Sequence, residues 1–234
     1  MQHSDLRQTK IPQELNKGKH EDAENLQIDV LHPRNRLLGE EHPHIISAMH
    51  YLAITYRRLG KYADAEKLQV QVLGMSNRIL GEEHPDTIGA RYNLAKTYQS
   101  LGKYADAEKL QTQVVDMRNI LLGEEHPNTI TAMDNLAATY DSLGKHTDAE
   151  RLTIKVVDLR NRYLEKEHPD TISAMGNLAA TYGSLGIYAD AEKLQIQVLD
   201  ATNRLLGEEH PNTITAMGNL PITYCTISFN SNSM

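Results

Sequence analysis

The sequence predicts an all-α protein, a solenoid of tandem 42-residue helix–turn–helix units. Three observations predict it. His-Pro recurs on a 42-residue beat at His42-Pro43, His84-Pro85, His126-Pro127, His168-Pro169 and His210-Pro211, and Leu-Gly keeps the same beat from Leu59-Gly60 to Leu185-Gly186. Within each beat the apolar residues fall three and four apart in two separate runs, as they do on amphipathic helices. Nothing alternates with period two, and Ala, Leu, Glu, Lys and Gln dominate, which excludes strands and propeller blades. His32-Pro33 is off the beat and carries no weight.

The first helix of the first unit follows from Ile45, Ala48, Met49, Leu52, Ala53 and Tyr56, which share one helical face. Pro43 sits near its start, where a missing N–H costs nothing, and Gly60 ends it as a left-handed cap. The second helix starts near Tyr62 with the stripe Ala65, Leu68, Val72, Met75 and Ile79, widened by Leu73 and Leu80. A wide stripe suits a helix that packs within its own unit and against the next. Gly81 stops it, and Glu82-Glu83-His84-Pro85 turns the chain into the next unit. The four full units are 43–84, 85–126, 127–168 and 169–210.

Composition narrows the function classes. The chain has 234 residues and a formal net charge of −7, with no Trp and one Phe, so its core must come from Leu, Ile, Val, Ala and Met. Mild acidity argues against nucleic acid or an anionic membrane surface as partner. One cysteine, Cys225, leaves no intrachain disulfide, and neither a secretory signal nor a membrane-length apolar run is visible. The expectation is a cytoplasmic protein.

The repeat matches the tetratricopeptide signature in Leu52-Ala53, Tyr56, Gly60, Tyr62 and Ala65. Leu94-Ala95, Tyr98, Gly102, Tyr104 and Ala107 repeat it, as do Leu136-Ala137, Tyr140, Gly144 and Ala149, and then Leu178-Ala179, Tyr182, Gly186, Tyr188 and Ala191. Departures are Ala for the first Gly, Met or Arg91 for Trp, His146 for the second Tyr of the third unit, and Gln or Thr153 for the aromatic of the second helix. The run Asn-Leu-Ala-x-Thr-Tyr-x-x-Leu-Gly-Lys-Tyr-x-Asp-Ala-Glu, followed by Leu-Gly-Glu-Glu-His-Pro, resembles the repeats of kinesin light chains. It resembles still more the arrays of that type attached to NB-ARC or NACHT nucleotide-switch proteins of filamentous fungi. The resemblance covers about Gly18 to Tyr224. It implies a right-handed superhelix whose first helices line an inner groove, and a scaffold that binds a protein or an extended peptide there. The alternative it implies is a sensor array regulating a nucleotide switch that lies outside this chain.

Both ends break the pattern. Residues 1–17 lack apolar periodicity and contain Pro12, and residues 18–42 read as a lone second helix, about Gly18 to Leu38. Residues 211–225 start as a first helix that Pro221 interrupts, and 226–234 are polar and unpatterned. A proline inside a helix removes a hydrogen bond and costs about 3 kcal/mol. The expectation is a fragment or truncated array that self-associates or frays at its C-terminal end. The surfaces concerned are Leu194, Val198 and Leu205 on the last second helix, and Met217, Leu220 and Tyr224.

The candidate site is a ladder: Tyr51, Asn93, Asn135, Asn177 and Asn219, each just before the patterned Leu of a first helix and so just off the buried stripe. An amide offers donor and acceptor together and can match one peptide unit. The kinesin light chain resemblance implies that these asparagines hold a peptide backbone. Charge along this face runs from basic (His50, Arg57, Arg58 and Lys96) to acidic (Asp134 and Asp141) and then to Gly176 and Gly183. Such a gradient would orient a peptide. Thr55, Thr97, Thr139 and Thr181 are expected to border the groove, and Tyr56, Tyr98, Tyr140 and Tyr182 to be core. The repeated Glu-Glu-His loops lie too far apart to converge on one metal ion, and each His reads as a turn residue. No phosphate loop, nucleophile elbow or His-Glu-x-x-His occurs. Near-identical units do not bring different residues into one pocket. No enzyme activity, cofactor or metal is expected.

Overall fold

The computed structural model describes residues 42–164 and 167–220, and every regular element among them is an α-helix. The first helices of the units are α1 (Pro43–Arg58), α3 (Pro85–Ser100), α5 (Pro127–Ser142) and α7 (Pro169–Ser184). The second helices are α2 (Tyr62–Leu80), α4 (Tyr104–Leu122), α6 (His146–Tyr163) and α8 (Tyr188–Leu206). Residues 211–220 are helical as well. The helices fall where the periodicity places them. The lone helix expected over Gly18 to Leu38 and the interruption at Pro221 lie outside the described residues.

Each first helix starts the same way. Proline occupies its first turn, and the preceding histidine is its N-cap. Nδ1 of His42, His84, His126 and His168 accepts the backbone N–H two residues on, at 3.1–3.2 Å. His210 does the same for Asn212 at 3.2 Å. The histidine is therefore more than the turn residue expected of it: its ring nitrogen takes the place of the usual Asp or Ser oxygen at an orphan N–H.

Each first helix also ends the same way. Gly60, Gly102, Gly144 and Gly186 adopt φ of 72–77°. The residue after each glycine donates its N–H back to the tyrosine carbonyl of the last turn: Lys61 to Tyr56, Lys103 to Tyr98, Lys145 to Tyr140 and Ile187 to Tyr182, at 2.8–2.9 Å. This six-residue closure needs the left-handed residue that glycine supplies. It also returns each lysine over the tyrosine ring it has just bonded, with Nζ 5.6–5.7 Å from the ring centre. The four tyrosines are accordingly half buried rather than full core residues. Burial still pushes the Tyr98 and Tyr182 hydroxyls above their ordinary range.

The chain divides into two compact units, with the boundary after Leu110, inside α4. In the first, α1 packs on α2 and α2 on α3, and α1 also touches α3. Ile46, Val72, Met75 and Ala90 form its core, with Met49 and Leu73 against them. In the second, α5, α6, α7 and α8 pack in sequence. Its core is Ile130, Met133, Val156, Leu159 and Ala174, with Val157 against it. Ile130, Met133, Val156, Leu159 and Ala174 stand two repeats on from Ile46, Met49, Val72, Met75 and Ala90, so one core is built twice. The most enclosed positions are alanines: Ala53, Ala95, Ala137 and Ala179 on the first helices, and Ala65, Ala107, Ala149 and Ala191 on the second, all 0–2% exposed.

The stripe of α2 is narrower than its sequence suggests. Ile79 and Leu80 are exposed, because the last turn runs past the core. Leu205 is likewise exposed on α8, as is Met217 beyond it, while Leu194 and Val198 are half buried.

His126→Ala should lower the unfolding free energy by about 1 kcal/mol, and His126→Asp should leave it nearly unchanged, because aspartate also accepts the Asn128 N–H. Denaturant titration of the three proteins checks this. Equal losses for both substitutions would show that the ring matters for something other than the cap.

Candidate functional site

On each first helix the buried Leu-Ala pair fixes which residues turn outward. In α5, Leu136 and Ala137 are buried, Asp134 and Asn135 are half buried, and Ala138 is exposed. The ladder positions therefore flank the buried stripe and reach solvent, as expected. Thr55, Thr97, Thr139 and Thr181 do not border this face; they are buried, at 0–7% exposure. Thr55, Thr139 and Thr181 donate their hydroxyls to the carbonyl four residues back, each at 3.1 Å. That satisfies the oxygen within the helix and leaves the methyl to pack.

In the first unit of the molecule, Tyr51 is 62% exposed and Arg58 is exposed, while Asn93 and Lys96 are half buried. The Asn93 amide nitrogen donates to the Gly89 carbonyl at 3.0 Å and lies 3.2 Å from Nε2 of His50 on the preceding first helix. Nε2 accepts this bond, so the ring proton is on Nδ1. His50 also meets the edge of Tyr51, with ring centres 5.8 Å apart. Lys96 lies over the Tyr92 ring, its Nζ 5.5 Å from the centre.

In the second unit the ladder comprises Asn135, Asn177 and Asn219, the last two exposed. Asn135 donates to the Thr131 carbonyl at 2.7 Å, and Asn177 donates to Asp134 at 3.1 Å. Asp134 is also the partner of Arg160 from α6, at 3.0 Å. The Arg160 side chain is 7% exposed, and the same nitrogen donates to the Asp170 carbonyl at 2.8 Å. Asp141 is held by His146 at 2.9 Å and by Thr181 at 2.6 Å. The two carboxylates expected to form an acidic end are thus engaged by the protein itself. The acidic end of the expected gradient is offset at Asp134, where Arg160 pairs with the carboxylate.

Arg160, which holds Asp134, is a residue that sequence reading missed. It sits on a second helix, beyond the ladder. The available signal is an arginine interrupting the apolar run at one register: Arg118 and Arg160 stand there, with Ser76 and Thr202 in the other two units. Arg118 donates to the Asn128 carbonyl at 2.8 Å, repeating the Arg160–Asp170 contact one repeat earlier.

Among the described residues no group of three His, Cys, Asp or Glu is placed to hold a metal ion, and no helix is long and apolar enough to cross a membrane. Paired helices closed by the same caps, with one face of each first helix left to solvent, form a recognised repeat. Models of the tetratricopeptide repeat match residues 14–78, 45–120, 92–153 and 171–212. The chain belongs to the tetratricopeptide-repeat family. The crystal structure of the nearly identical TPR-like repeats of a Podosopora anserina kinesin light chain-like protein is similar, with 29% identity and a TM-score of 0.71 over 88% of this chain and 99% of that one. BtubC (BKLC) from P. vanneervenii shares the fold at 24% identity, with a TM-score of 0.71 over 88% of this chain and 79% of that one. MamA shares it more distantly, at 18% identity and a TM-score of 0.54 over 87% and 96%. No curated protein sequence matches the chain. The tetratricopeptide fold is a scaffold suited to protein binding, and the kinesin light chain-type resemblance of the repeats agrees with the Podosopora anserina structure.

Burial holds the His50 ring below its ordinary value of 6.5, with Asp86 pulling weakly the other way. The unfolded chain therefore takes up the proton first as pH falls. The stability owed to neutral His50 is complete above 6.5 and is lost as pH drops through 6.5 toward the lowered folded value. Protonation also turns Nε2 into a donor facing the Asn93 donor. The melting midpoint should fall on acidification over this window, and less steeply in His50→Gln. Parallel pH profiles for the two proteins would contradict this role.

Proposed function

We propose that the protein is a non-catalytic scaffold that holds an extended peptide segment of a partner protein on the outward face of its first helices. The observation that carries this reading is the asparagine register of the second unit. Asn135 and Asn177 follow each other at one repeat spacing and reach solvent, and each is oriented by a bond from its own amide nitrogen to the scaffold. An amide carries donor and acceptor together, the pair that one peptide unit needs, and a side chain already oriented by the scaffold loses less freedom on binding. Asn219 continues the register, and Asn93 stands at the same register in the first unit with its N–H groups given to Gly89 and His50, on a face that also carries Tyr51, Arg58 and Lys96.

The kinesin light chain-type repeat supports the reading, because that resemblance implies asparagines at this register that hold a peptide backbone. The fold supports the absence of chemistry as well. The polar groups of the face are repeated copies, and Asp134 and Asp141 are tied to Arg160 and His146. Copies of one residue do not make the convergent set that catalysis needs.

Peptides selected from a random-sequence display library against the intact protein supply the probe. Asn135→Ala combined with Asn177→Ala should weaken the selected peptides by about tenfold or more, while unfolding free energy changes by about 0.5 kcal/mol or less. Undiminished binding by a well-folded double variant would contradict the assignment of the face.

A further inference from the structure

The first unit contains a socket that the second unit fills with its own arginine. A cavity of about 220 Å³ opens between α1, α2 and the start of α3. His50, Ser76 and Asp86 line it. Two repeats further on, the same three positions are Asp134, Arg160 and Asp170. There the Arg160 guanidinium donates to the Asp134 carboxylate at 3.0 Å and to the Asp170 carbonyl at 2.8 Å, and its side chain is all but buried. In the first unit Ser76 carries no guanidinium, although it is itself 2% exposed. The space and the acceptor at residue 86 stay, and the group that would fill them has been cut back to a hydroxymethyl.

The rest of the lining suits the same group. Ile46, Val72 and Ile79 offer apolar walls for a methylene stem. Tyr51 also lines the cavity, and its exposed ring offers a face for a planar cation to stack on. Among the lining side chains only Asp86 is formally charged at neutral pH, since burial keeps His50 neutral. The cavity thus presents one carboxylate, one repeat-matched carbonyl, an aromatic ring and no cation.

We propose that this cavity binds an arginine side chain of the partner, which takes the place that Arg160 takes in the second unit. The proposal rests on the peptide-binding reading above and deepens it, giving the bound segment an arginine anchor beside Tyr51. Arginine is favoured over lysine because its flat guanidinium can stack on the Tyr51 ring, which a compact ammonium group does less well.

The test uses the intact protein and three small probes: Nα-acetyl-arginine methylamide and its citrulline and lysine counterparts. Citrulline keeps the shape of arginine and removes the charge. NMR titration should move the His50 and Tyr51 resonances with a dissociation constant on the order of 1 mM for the arginine probe, as befits a fragment of this size. Citrulline and lysine should bind about tenfold more weakly. Ser76→Arg should abolish the shifts by supplying the missing side chain from within. Gly89→Met offers a second block: Gly89 lines the cavity, and a Cβ added there meets no atom within 4 Å, so the variant should fold even if Ser76→Arg does not. Equal binding of arginine and citrulline, or arginine binding that survives the block in a folded variant, would overturn the proposal. Failure here with asparagine-dependent peptide binding intact removes the socket and leaves the peptide-binding face. Arginine binding with asparagine-independent peptides keeps the socket and removes the asparagine ladder.

Discussion

The structure depends on a lack of room where paired helices face each other. Ala53, Ala95, Ala137 and Ala179 on first helices, and Ala65, Ala107, Ala149 and Ala191 on second helices, are enclosed almost completely. A methyl is the largest group that such positions hold without displacing a neighbour, because protein interiors are packed as tightly as organic crystals. This fixes the rotation of each first helix about its own axis. Once Ala137 is turned inward, Asp134, Asn135 and Ala138 are turned toward solvent by the helical period alone. The outward face is a by-product of the alanine seam, and its residues are free to differ between units because they do not carry the packing.

Difference between units also reaches one buried position of the second helices. The core residues of the two compact units correspond one for one, yet residue 76 is serine where residue 160 is arginine. In the second unit the arginine ties Asp134 to the start of α7, and Asn177 leans on the same carboxylate. In the first unit His50 and Asn93 make the corresponding bridge between first helices without an ion pair. A buried ion pair and a neutral bridge thus serve at one register. The neutral version leaves a cavity beside it. Divergence within a repeat array produces a site here by subtraction, with no change in the backbone plan.

Much of this was legible in the sequence. The 42-residue beat, the Pro at each first-helix start and the Gly at its end placed every described helix, because those residues act through local backbone geometry. The ladder asparagines were legible for the same reason: their exposure follows from the helical period. What escaped depends on contacts that cross between elements. The burial of Thr139 and its equivalents needs the rotation of the helix to within a fraction of a turn, and in Thr55, Thr139 and Thr181 a side-chain bond to the carbonyl four residues back hides a polar group in an apolar place. The histidine caps escaped because His is not among the usual capping residues, and its Nδ1 serves only when φ and ψ of the cap are extended, as they are at His126. The pairing of Asp134 with Arg160 joins residues 26 positions apart in sequence on different helices, and no local pattern reports it.

The central claim is that the alanine seam sets which face of each first helix is presented. The most direct measurement compares leucine placed at two adjacent positions of α5, buried Ala137 and exposed Ala138. Ala137→Leu should cost about 1–3 kcal/mol of unfolding free energy through overpacking. Ala138→Leu should change it by about 0.5 kcal/mol or less. Equal effects at the two positions, or a larger loss at Ala138, would mean that the helix is turned otherwise and that the face described here is not the one it presents.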